Sequence, residues 1–220
     1  MSVSAIFLFG LFHAVPCVGD GAGCSVDVRV GSASMRMVVD TGADLTILSR
    51  KAARRAGIRL DRESPLIFIR GVNGMSVAAL ASVKIRVGTF EEQDVLVAVV
   101  PELGMDGLLG MTFLERFKFG FGGRSLELEP PDKDEEKRGG HGPSWWSLRF
   151  KENRERLARY EQMLPAAKDV DESIAGEIGT SPDEITLTEI TNRLRNFTQE
   201  ETDRLSTEAA RASVPNEWRR

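Results

Sequence analysis

The sequence predicts a mainly β unit, a closed barrel or sandwich, over residues 24–129, followed by an α-helical region over 145–220. Three observations carry this expectation. Short apolar stretches with turn signals recur about every eight to twelve residues as far as Pro130, the pattern of an all-β unit. The run PPDKDEEKRGGHGPS at 130–144 has no large apolar residue and reads as a linker or solvated loop. Beyond it Trp146, Phe150, Leu157, Tyr160 and Leu164 are spaced near the helical period.

Taken in order, CSVDVRVG at 24–31 alternates with period 2, and SMRMVVD at 34–40 follows a short Gly-Ser-Ala connection. TILS at 46–49 is a short strand or buried turn. RKAARRAGI at 50–58 is a helical turn whose Gly57 suits a C-terminal stop. In LIFIRGVNGMSVAAL at 66–80 the Asn73-Gly74 pair between apolar runs is a strong hairpin signal. SVKIRVG at 82–88 and QDVLVAVV at 93–100 are expected as two further alternating strands. DGLLGMTFLERF at 106–117 ends in a helix, and KFGFGGRSLELEP at 118–130 is a closing hairpin. In the tail, Ser181 with Pro182 after it is a candidate N-cap, and Ile190, Leu194 and Phe197 lie on one face. Leu205 and Ala209 are expected in a further helix after Thr198.

Composition narrows the function. With 41% hydrophobic and 28% charged residues the chain is in the globular range. Residues 1–129 carry 14 basic and 14 acidic side chains, and 144–220 carry 12 and 15, so neither part has the basic stripe of a nucleic-acid binder. There is no phosphate-cradling P-loop. Two thiols and two distant histidines, His13 and His141, do not suggest a metal site, and Cys17 and Cys24 are expected to be free thiols. Residues 1–23 are uncharged up to Gly19 and continuously apolar from Ala5 to Phe12. A leading strand packed on the domain, and with it a cytoplasmic setting, is favoured over an export signal or membrane anchor, because no Lys or Arg precedes the apolar run.

The stretch VVDTGADLT at 38–46 stands apart. Asp40 follows a strand that runs into a core, where a lone carboxylate is costly unless it is paired or hydrogen-bonded. Thr41 offers a hydroxyl, and Gly42 allows a tight reversal. The carboxylate is therefore held at the mouth of a turn.

Asp40-Thr41-Gly42-Ala43-Asp44-Leu45-Thr46-Ile47-Leu48 resembles the active-site segment of the retropepsin family of aspartic proteases. Asp106-Gly107-Leu108-Leu109-Gly110 matches the family's second signature, and Ile69 to Gly74 lies where its flap hairpin should be. The likeness covers about 24–129, and the fuller pattern is more similar to bacterial retropepsin-like proteases than to viral ones. It implies a closed retropepsin-like barrel lobe and an aspartic endopeptidase that needs neither cofactor nor metal. Two carboxylates would share one proton and activate a water. The chain has a single Asp-Thr-Gly, so two copies of Asp40 would meet in a homodimer.

By the same resemblance Asp40 would be the acid/base, Thr41 would lock the two active-site turns together, and Gly42 would let them approach. Ala43 and Asp44 would line the groove of a polypeptide substrate, and Gly71, Val72, Asn73 and Gly74 would form the flap tip. One departure bears on Asp44. Retroviral enzymes follow their second signature with an Arg that pairs with acids of the active-site segment, whereas here Met111-Thr112 follows, so Asp44 needs another partner or stays solvated. The competing reading is a catalytically silent dimerisation module whose helical tail recruits a partner. On either reading Trp145, Trp146 and Phe150 should dock, on the β unit of their own chain or of a second copy, and the tail is expected to strengthen a dimer.

Overall fold

The computed structural model describes residues 13–18, 23–71, 74–131, 135–178 and 185–220, without the side chains of 174–178. Strands β2 (Ser25–Val30) and β3 (Ala33–Val39) form the first hairpin, with Val26, Val28 and Val30 pointing inward and Asp27 and Arg29 outward. The short β4 (Thr46–Ser49) leads straight into helix α1 (Arg50–Arg55), whose N-cap Ser49 accepts the Ala52 N–H at 3.1 Å. Strands β5 (Leu66–Gly71), β6 (Gly74–Val87), β7 (Phe90–Val100) and β8 (Gly107–Leu109) follow. Helix α2 (Met111–Leu114) comes next, and then β9 (Lys118–Gly122) and β10 (Ser125–Glu129).

The main sheet runs β2-β3-β8-β4-β7-β6-β5, and a further pairing of β2 with β6 closes its first six strands into a barrel. Val26, Met37, Leu48, Ile85, Val97 and Leu109 fill its interior with Phe113 and Leu114 from α2. β5 stays outside the closure and, among the described residues, pairs only with β6. A separate sheet, β1-β10-β9, places strand β1 (His13–Pro16) against β10.

Three expectations need correction. Residues 74–87 are one strand, not two. No residue between Leu80 and Val83 forces a turn, and the irregularity is absorbed as a register shift between Val83 and Ile85. β7 does not alternate, because all six residues from Val95 to Val100 are buried. Val95, Val97 and Val99 face the barrel, while Leu96, Ala98 and Val100 face a second cluster outside it. Cys17 and Cys24 are bonded in a disulfide. The bridge between Val18 and Ser25 brings the Cα atoms of the two cysteines to 4.9 Å, which spacing along the chain does not reveal. Residues 1–12, where the apolar leader lies, are outside the described residues.

The tail is a pair of long helices, α3 (Pro143–Ile178) and α4 (Leu187–Arg211), ending in a 3-10 turn at Asn216–Arg219. The cap of α4 is Thr186, whose hydroxyl accepts the Glu189 N–H, while Ser181 and Pro182 lie outside the described residues. α4 continues unbroken through Thr198, whose hydroxyl donates to the Leu194 carbonyl. Trp145, Trp146 and Phe150 pack with Leu205, Ala209 and Val214, and the Trp145 indole N–H donates to Glu92 Oε2 at 2.8 Å, so the rings dock on their own chain. No helix among the described residues is long and apolar enough to cross a membrane.

His141 stacks on Trp145 with centroids 3.7 Å apart. Burial, with the cations of Arg116, Lys137 and Arg149 around it, holds its pKa down to about 4. The unfolded chain takes up this proton near 6.5 and the folded chain only near 4. Folding stability is therefore present above about pH 6.5 and is lost as pH falls through that window. The melting temperature should drop between pH 7 and pH 4, and His141→Phe should flatten the drop while keeping the stack. An unchanged slope in the variant would remove His141 from the acid response.

Candidate active site

β3 and β8 run parallel, with Val38 beside Leu108 and Val39 beside Leu109, so the chain enters the Asp40 turn from the barrel wall. The Asp40 N–H donates to the Leu109 carbonyl at 3.0 Å, which fixes the backbone at the strand's end. Asp40 Oδ1 then accepts the Gly42 N–H at 2.9 Å, and the Asp40 carbonyl accepts the Ala43 N–H at 3.3 Å. Asp40 and Ala43 are half-buried, and Thr41 and Gly42 are exposed. One backbone amide thus orients the carboxylate at the open side of the turn.

The turn rests on the second apolar-glycine segment. The Ala43 carbonyl accepts the Met111 N–H at 2.9 Å. A Cβ on Gly110 would lie 2.3 Å from the Leu45 carbonyl oxygen and 2.7 Å from that of Ala43, so only glycine allows this approach. Beneath it lies a lock between two threonines. The Thr46 hydroxyl accepts the Gly110 N–H at 3.2 Å, and the Thr112 hydroxyl accepts the Thr46 N–H at 2.9 Å and donates to the Leu96 carbonyl at 2.8 Å. The two hydroxyl oxygens are 3.1 Å apart. Thr46 is fully buried and Thr112 half-buried, so the Gly110 bond in particular is shielded from competing water.

Sequence reasoning missed this lock. The one signal for it was the Met111-Thr112 departure, since Thr112 sits directly after the position of the family's Arg. Asp44 is exposed and forms no ion pair among the described residues, so solvent is its surrounding. Asp106 does not join the site. Its carboxylate pairs with Arg55 of α1 at 2.8 Å, which holds its pKa below the usual carboxylate range. Gly71 and Gly74 face each other at the end of the β5–β6 hairpin, with Gly74 at φ +99°, while Val72 and Asn73 lie outside the described residues.

Known proteins resemble the chain over part of its length. The model of the family described as gag-polyprotein putative aspartyl protease matches residues 26–116, a stretch that holds Asp40-Thr41-Gly42 and Leu108-Leu109-Gly110. Over residues 26–116 the chain is thus similar to retropepsin-like aspartyl proteases. A solved structure, a retropepsin-like aspartic protease from Rickettsia conorii, is similar to the chain at 28% identity. That match covers 52% of this chain and 86% of the other, with a TM-score of 0.41. No curated protein matches the chain.

Proposed function

We propose that the protein is an aspartic endopeptidase that hydrolyses peptide bonds as a homodimer. The observation that carries this is the Asp40 carboxylate, oriented by the Gly42 N–H at the open side of a turn whose underside is locked by Gly110, Thr46 and Thr112.

Each chain supplies one such aspartate, so the second comes from a second copy across a two-fold axis. Two carboxylates in close approach hold one proton between them. The ionised member takes a proton from water as its oxygen attacks the scissile carbonyl carbon, while the protonated member hydrogen-bonds the carbonyl oxygen. The C–N bond then breaks, the amine nitrogen takes a proton from the dyad, and the carboxyl product leaves. Thr41 locks the two turns together, Ala43 and Asp44 line the groove, and residues 71–74 cover the extended peptide.

The test is cleavage of unfolded casein by the full chain between pH 4 and 7, over a range of protein concentrations. Specific activity should fall on dilution in step with a dimer-to-monomer transition seen by sedimentation. A chelator should leave the rate unchanged. A stable dimer that cleaves nothing at any pH would favour the silent module, and undiminished specific activity of a monomer would overturn the shared site.

A further inference from the structure

The tail does more than cover apolar surface. It grips the root of the β5–β6 hairpin, the element that the proposed protease would use as its flap. β5 is the last strand of the sheet, so its outer edge has no strand partner among the described residues. Toward the tip Phe68, Met75 and Val77 are exposed, with Phe68 opposite Val77 in the register. A hairpin built this way is free to swing about its base unless something holds the base.

Helix α4 holds it in two ways. Leu194 is buried with Ala78 and Leu80 of β6 and Leu96, Ala98 and Val100 of β7, and Ile67 and Ile69 of β5 pack on the same cluster. Leu45 and Ile47, from the segment that follows the Asp40 turn, join it too. Next to Leu194, the Arg193 guanidinium donates to the Arg62 carbonyl and lies 3.7 Å from a Glu63 carboxylate oxygen, both in the loop that leads into β5. Glu189, one turn earlier on α4, pairs with the same guanidinium and directs it. α4 is itself tied to α3 by Arg156 and Glu201 at 2.8 Å, and by Asp171, which accepts the Leu187 and Thr188 N–H groups at 2.9 Å each. The base of the hairpin is therefore held by a pair of helices that are tied to each other.

We propose that Arg193 and Leu194 of α4 are positioning residues for the flap, setting its resting place over the groove and so how readily an extended polypeptide is admitted and held. The assignment rests on the protease reading for its consequence and on the packing of α4 for its mechanism. Loosening the clamp leaves proton transfer at Asp40 intact and weakens substrate capture, so it acts on KM rather than on kcat.

The experiment compares amide hydrogen exchange and casein-peptide kinetics of the full chain with Arg193→Ala, Leu194→Ala and Arg193→Lys. Exchange in 66–71 and 74–80 should speed by about tenfold in both alanine variants while β2 and β3 stay protected. KM should rise several-fold with kcat within about twofold, and Arg193→Lys should restore much of the protection because it keeps a cation beside Glu63. Unchanged exchange in 66–80, or an increase spread evenly over the barrel, would overturn the proposal. Should Leu194→Ala fail to fold, Arg193→Ala decides by the same criteria. Exchange is read without substrate, so a failed clamp and a failed protease reading are told apart.

Discussion

Asp40→Asn should abolish cleavage of casein while leaving the fold and the proposed dimer in place. Asparagine keeps the shape of the side chain and a carbonyl oxygen, which can still accept the Gly42 N–H that Asp40 accepts at 2.9 Å. What disappears is the ionisable group, and in a homodimer it disappears from both sides, so no proton remains to be shared. General acid–base assistance alone is worth about 10²–10⁴-fold, and the loss should be at least of that order. The rate is measured on unfolded casein, with thermal melting and sedimentation of the same sample as controls. Residual cleavage within about tenfold of the wild type would place the chemistry elsewhere.

The largest stability effect is expected at Glu92, away from the proposed chemistry. Its Oε2 accepts from Arg116 Nη1 at 3.1 Å and from the Trp145 indole at 2.8 Å, joining β7, the turn after α2 and the start of α3. Arg116 is 2% exposed and also donates to the Gln93 and Asp94 carbonyls. Burial raises the pKa of Glu92 and lowers that of Arg116 to about 10, so each charge is tolerated because of its counter-charge. Glu92→Ala leaves the guanidinium buried without that counter-charge and the indole without its acceptor. The cost should be about 3–5 kcal/mol by urea denaturation of the full chain. Glu92→Gln keeps an acceptor for the indole and should cost less. A loss below about 1 kcal/mol in the alanine variant would mean that water or a neighbour replaces the carboxylate.

The parts of this protein that are written locally can be read from its residues alone. Alternating valines at 26, 28 and 30 mark a strand with one buried face, and Asn73-Gly74 marks the hairpin between β5 and β6. Asp40-Thr41-Gly42 followed by Leu108-Leu109-Gly110 carries a resemblance to a family, because both segments are contiguous and chemically unusual. Periodicity was enough to call the tail helical.

What those elements touch depends on how distant segments pack. The Thr46–Thr112 lock joins residues 66 positions apart, and the Cys17–Cys24 disulfide depends on the bridge between Val18 and Ser25. The unbroken apolar run of β7 was the trace of a face covered on both sides, but nothing local says that the cover is Leu194 of α4. Nor does a stripe of apolar residues on a helix say whether it seats on its own barrel or on another. Periodicity records which face of an element prefers to leave water. The surface that receives it is set by closure of the barrel and by packing between distant segments, and those are properties of the whole chain.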